Sequence, residues 1–211
     1  MDHASISNEL TLFVLGVSIG IVANMHLHKN YDYIFELQQE TDEQIKEILK
    51  KMSQRLLNFD VSDYNEKSFQ ELNDSISKAK AIANLNYKNQ LNNNDTYDVD
   101  YIKMRDKQYH ILYEMYKSAH TLETTPITAK MVSDLFLEIS ENYHRNNTGE
   151  TLLLHFQTIR NDMKNKPLPI ERKEFEDRAK LFILLNYIEE FLTLKKEFME
   201  KYQNETACWY N

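Results

Sequence analysis

From Tyr31 onward the apolar residues recur every three to four positions, the spacing of a helix with one buried face. Ile45, Ile48, Met52, Leu56 and Phe59 form a first stripe, and Phe69, Leu72, Ile76, Ala79 and Ala83 a second. Tyr97, Tyr101, Met104, Ile111 and Met115 form a third, and Met131, Val132, Leu135, Ile139 and Tyr143 a shorter fourth. Leu152, Phe156, Ile159 and Met163 carry the fifth, and Phe175, Ala179, Phe182, Leu185, Leu192 and Met199 the sixth. The breaks between stripes hold turn and capping chemistry. Asp60, Ser62 and Asp63 offer caps for the second helix, and the polar run 92–95 signals a loop. Pro126 follows Thr124 and Thr125, Thr148 is a candidate N-cap for the fifth helix, and Pro167 and Pro169 force an extended link. Six helices on short connections predict an all-α, antiparallel, up-and-down bundle.

Ahead of these stripes, Leu10–Ala23 is apolar and free of charge for 14 residues. As a helix it reaches about 21 Å, short of a ~30 Å hydrocarbon core. Extension to Asn8–Leu27 gives 20 residues and takes in Glu9, Asn24 and His26 near the ends. The expectation is one apolar transmembrane helix preceding the bundle, with a buried core helix as the alternative. Gly16 and Gly20 form a G-x-x-x-G, the spacing that lets a second membrane helix pack closely. No Lys or Arg precedes the segment, which argues against a signal peptide. Lys29 follows it, which places the C-terminal side in the cytoplasm by the positive-inside tendency. The organisation expected is therefore an apolar segment over 1–29 as the end of a membrane domain, a cytoplasmic helical bundle over 30–203, and a tail over 204–211.

Composition narrows the picture. Three Gly and three Pro are too few for the many tight turns of β or α/β folds. One Cys excludes a disulfide framework and a Cys-rich zinc site. Acidic residues number 33 against 25 basic ones, so nucleic acid is not the expected partner. Phosphate-loop, dinucleotide and nucleophile-elbow motifs are absent, as are H-E-x-x-H and a pair of E-x-x-H motifs of the di-iron type. His26 and His28 point roughly 200° apart on a helix and do not share a metal. Cys208 lacks a base beside it, and the N-x-T triplets at Asn94, Asn146 and Asn204 fit chance in an Asn-rich chain. No catalytic residues, metal site or cofactor are expected, and an enzyme is disfavoured.

The third helix carries two apolar faces. Tyr109, Tyr113 and Tyr116 share one side and Met104, Ile111 and Met115 the other. Such a helix is central in its bundle or touches a ligand or partner. The candidate binding residues are Tyr109, Tyr113 and Tyr116 with nearby Arg105, whose charge suits a carboxylate.

From about residue 97 to 196 the chain resembles the C-terminal cytoplasmic domain of the aromatic acid exporter family of Gram-positive bacteria. The likeness is carried by YIKMRDKQ at 101–108, KPLP at 166–169, RKEFEDRAKLFILL at 172–185 and EEFL at 189–192, in that order. The apolar segment ending at Ala23 and Asn24 is similar to the tail of that family's last membrane helix. The resemblance implies a multi-spanning membrane half followed by a helical cytoplasmic domain, and export of aromatic carboxylic acids. Most of that membrane half is missing from this sequence. The expected function is thus a non-catalytic regulatory or assembly domain of an exporter at the cell membrane, bundle on the cytoplasmic side. Its partners would be the membrane, other transmembrane helices or subunits of the exporter and an aromatic acid, with a homo-oligomer left open. The alternative is a soluble helical protein–protein interaction module with no transport role.

Overall fold

The computed structural model describes residues 3–61, 65–90, 95–145 and 147–208, with the backbone alone described at 3–5, 7, 24–31 and 203–208. Ser62, Asp63, Asn94 and Asn146, together with the side chains of His26, His28, Asn204 and Cys208, lie outside the described residues. Six helices occur in order: α1 His3–Leu57, α2 Glu66–Asn89, α3 Tyr97–His120, α4 Ala129–Asn142, α5 Glu150–Lys164 and α6 Arg172–Cys208. All the described regular structure is helical, as the stripes and the scarcity of Gly and Pro require.

Side-chain contacts between helices give their directions. Gln44 of α1 meets Ser75 of α2. Glu66 and Lys80 of α2 meet Tyr113 and Asp106 of α3, an antiparallel pair. Asp42 and Arg55 of α1 meet Arg105 and His120 of α3, so those two helices run parallel. Ser53 of α1 bonds Ser133 of α4 at 3.0 Å, and Phe35 lies under Arg145 just beyond the other end of α4. Asp100 and Gln108 of α3 meet Lys201 and Phe191 of α6. The chain therefore runs up and down, with α1, α3, α4 and α6 forming the centre. Helix α2 closes one side against α1 and α3, and α5 the other against α4 and α6.

The buried residues are largely the predicted ones. Ile45, Ile48, Met52 and Leu56 of α1 face Val132, Leu135, Phe136 and Ile139 of α4 and the Leu72–Ile76–Ala79 row of α2, all within one core. Helix α6 contributes Leu181, Leu184, Leu185, Ile188, Phe191 and Leu192. Phe175 departs from expectation. It opens the predicted α6 stripe, yet it is 61 % exposed and Ala179 is exposed with it, because the face that α6 buries here carries Asp177, Leu181, Leu184 and Ile188 instead. Caps shift slightly too. Asn65, whose Oδ1 accepts from the Lys67 amide at 3.0 Å, caps α2. Gly149, left-handed at φ 76°, occupies the α5 N-cap that Thr148 was expected to fill.

Helix α1 is longer than its share of the bundle. At about 1.5 Å per residue, its 55 residues extend roughly 80 Å. The core begins at Ile34, and every side chain from Asn8 to Ala23 is exposed. The apolar segment thus continues directly into the first bundle helix, as the lack of breakers predicted, and it does not pack as core. The expected transmembrane span over Asn8–Leu27 is not met: among the described residues no helix is long and apolar enough to cross a membrane. The reason is the brevity of the run, since polar Asn8, Glu9, Asn24 and His26 bound its 14 uncharged residues. Nothing lies within 4 Å of the positions a Cβ would take at Gly16 and Gly20, so both present open backbone.

A buried arginine network and its adjoining cleft

Three polar residues interrupt the buried stripe of α3. Tyr101, Arg105 and Gln108 are spaced four and three apart, which stacks them on one helix face. Arg105 and Gln108 are fully buried. Arg105 Nε donates to Asp42 Oδ1 at 2.9 Å, Nη2 to the Tyr101 hydroxyl at 2.8 Å and Nη1 to Gln108 Oε1 at 2.6 Å. The Tyr101 hydroxyl donates onward to Asp42 Oδ2 at 2.7 Å. Tyr143, the residue that ends α4, donates to Gln108 Oε1 at 2.8 Å, and Gln108 Nε2 donates to the Phe191 carbonyl of α6 at 2.8 Å. The guanidinium lies over the rings of Tyr101 and Tyr143, 4.6 and 4.5 Å from their centres. Arg105 and Gln108 together therefore link α1, α3, the end of α4 and α6. The partners of Arg105 are charged, aromatic or doubly hydrogen-bonded, as a buried guanidinium needs. Burial pushes the Tyr101 and Tyr143 phenols above their ordinary range, so both remain donors at physiological pH.

Two further cations adjoin this network. Lys195 of α6 is 3 % exposed, and its Nζ donates to the Arg145 carbonyl at 2.7 Å. The amine sits 5.6 Å from the Tyr101 ring centre. Burial, followed by the charge of Arg105, holds it down to about 7. Arg145, in the turn after α4, lies over the rings of Tyr97 and Phe35 at 4.7 and 5.3 Å. Its Nε donates to the Tyr97 hydroxyl at 3.0 Å. His144 and Arg145 form one wall of a cleft of about 700 Å³ that reaches Phe35, Gln38, Asp42, Lys46 and Tyr101. Helix α1 supplies the opposite wall as residues three or four apart, the ordinary consequence of one helix face lining a groove.

The sequence-predicted residues fall elsewhere. Tyr109, Tyr113 and Tyr116 do form a row on α3, and the row packs around Phe69 of α2 at centroid distances of 6.5, 5.4 and 4.8 Å. The Tyr113 hydroxyl donates to Glu66 at 3.1 Å. Arg105 does not join them. Its guanidinium is turned inward to Asp42 and Gln108, so the expectation that it waits near the tyrosines for a carboxylate is corrected: the carboxylate it holds is Asp42. Asp42, Phe35, Arg145 and Lys195 were missed. The available signal was the polar triplet Tyr101–Arg105–Gln108 inside an apolar stripe. Its partners come from distant helices, and a single stripe does not name them. Among the described residues no three His, Cys, Asp or Glu side chains come together as a metal site.

Comparison with known proteins agrees with the bundle's limits. The family described as "Putative aromatic acid exporter C-terminal domain" matches residues 32–196, which begins two residues before the core. The chain belongs to that family. Across 191 residues it is 26 % identical to the protein YqjA of Bacillus subtilis, covering 90 % of this chain and 59 % of that relative. The chain thus spans about three-fifths of the length of the curated relative it matches. A crystal structure titled as a putative membrane protein from Clostridium difficile 630 has the same fold, at a TM-score of 0.72 and 26 % identity. It covers 81 % of this chain and 99 % of that one. The resemblance seen in the YIKMRDKQ and RKEFEDRAKLFILL stretches is therefore a family relationship, and the first of those stretches contains Tyr101, Arg105 and Gln108.

Proposed function

We propose that this exporter C-terminal domain is a non-catalytic, cytoplasmic regulatory unit of a membrane exporter, and that α1 is its mechanical link. One observation carries the reading. A single unbroken helix bears the exposed apolar run Leu10–Ala23 at one end and, farther along, Phe35, Gln38 and Asp42 of the cleft. A shift of the cleft wall is then a shift of the apolar rod, because a continuous helix transmits rotation and translation along its axis. The rod buries its side chains among other helices of the exporter at the cell membrane, with Gly16 and Gly20 offering a close approach. At about 21 Å it attaches the bundle without having to span the bilayer alone. Lys29 on the bundle side of the run favours the cytoplasmic placement.

The aromatic carboxylic acids of the family description are the transported class under this reading. The test is efflux of benzoate from cells expressing a full-length family member with and without its bundle. Loss or deregulation of efflux on removing the bundle supports regulation. Unchanged efflux and unchanged response to substrate contradicts it, and leaves a helical interaction module with no transport role.

A further inference from the structure

Around the Tyr101 ring the charges do not balance. Arg105, Lys195 and Arg145 stand 4.6, 5.6 and 5.9 Å from its centre, and only Asp42 opposes them at close range. The other acids nearby are engaged: Glu43 pairs with Lys46 at 2.6 Å, and Asp98 accepts from Gln38 at 2.8 Å. Among the described residues no carboxylate pairs with Arg145 or Lys195. Excess positive charge in a poorly solvated site is costly, and the cost falls when an anion enters. The cleft gives an anion access. It opens beside Arg145, whose Nε is held by Tyr97, and Arg145 presents its remaining guanidinium donors as a fork of the kind that grips carboxylates. The Phe35 ring, 43 % exposed on the cleft wall, offers a flat apolar surface beside that fork.

We infer that this cleft is a binding site for a small organic carboxylate with a flat apolar body, its carboxylate on the Arg145 guanidinium and its body against Phe35. The regulatory role of such a ligand rests on the reading given under Proposed function; the binding itself does not. Bound charge at Arg145 also acts on Lys195, which faces Arg105, Arg145 and Asp42 from three other parts of the bundle. An anion there favours the ammonium form, so binding near neutral pH takes up a proton. The ligand would then report through α1, whose Asp42 holds Arg105 and whose Phe35 touches the ligand.

The test is calorimetric titration of the full chain, in a non-ionic detergent, with benzoate, propionate and inorganic phosphate. Saturable benzoate binding, at least tenfold weaker in Arg145→Gln and accompanied by proton uptake between pH 7 and 8, is expected. Phe35→Ala, an exposed change that leaves folding intact, should weaken benzoate at least threefold more than propionate. Absence of saturable benzoate binding at millimolar concentration overturns the inference. So does equal affinity in folded Arg145→Gln, or phosphate binding as tightly as benzoate. Benzoate binding combined with efflux indifferent to the bundle would sink the regulatory reading and leave the site standing.

Discussion

Arg105 shows how much one buried side chain can decide. Removing it as Arg105→Ala strands Asp42, Gln108 and the Tyr101 hydroxyl together, so a loss of about 3–5 kcal/mol in urea unfolding is expected. Lys195 has the opposite sign. Its amine is buried without a carboxylate among the described residues, and its folded value of about 7 lies below the ordinary lysine value of 10.5. Between these values the unfolded chain binds the proton that the folded chain has released. Stability therefore rises with pH from about 7 toward 10, and below 7 the cost of the buried charge is carried in full. Lys195→Met should be more stable than the parent at pH 6.5 by about 1–3 kcal/mol, with the margin shrinking by pH 9.5. Urea midpoints of both proteins at the two pH values give the answer, and a margin independent of pH contradicts the placement of the amine. Asp100 moves the other way. Burial would raise it, but hydrogen bonds from Lys201, Tyr202 and Thr96 outweigh burial and hold it at about 2. Its contribution to stability is present above about pH 4 and lost as the pH falls toward 2.

Between elements, two joints illustrate what fixes the helices. Phe69 of α2 sits among the three tyrosines of α3, so Phe69→Ala opens a cavity against a rigid aromatic row and should cost about 3–5 kcal/mol, read by thermal or urea unfolding. Gly149 begins α5 in the left-handed region, and a Cβ there would stand 3.4 Å from the Leu192 carbonyl of α6. Gly149→Ala is expected to destabilise by about 1 kcal/mol, chiefly from backbone strain. The six helices were legible because each carries a full stripe of apolar residues at helical spacing, and the tyrosine row was legible as a second face of α3. The cleft was not. Phe35 and Gln38 on α1, Arg145 in a turn and Lys195 on α6 are far apart in sequence, and nothing in the local period of any one stripe relates them. Phe175 misled for the converse reason: it is apolar at helical spacing, yet the buried face of α6 there is held by polar Asp177, which accepts from the Glu123 and Thr124 amides.

As a whole, the molecule divides into a bundle that closes its own core and an apolar rod that touches none of it. The core starts at Ile34, the family match starts at residue 32, and Leu10–Ala23 is exposed along its entire length. Nine large apolar side chains on a bare rod, each more than two-fifths exposed, need cover from lipid or from other helices. The most direct test is a paired fractionation of the full chain and of residues 31–211, each expressed in bacteria, with alkaline carbonate extraction of the membranes and thermal unfolding of the purified proteins. The full chain should remain with the membrane pellet, while 31–211 should be soluble and unfold within about 3 °C of it. A full chain that is soluble and monodisperse without detergent, or a truncated chain that fails to fold, would contradict the division into anchored rod and independent bundle.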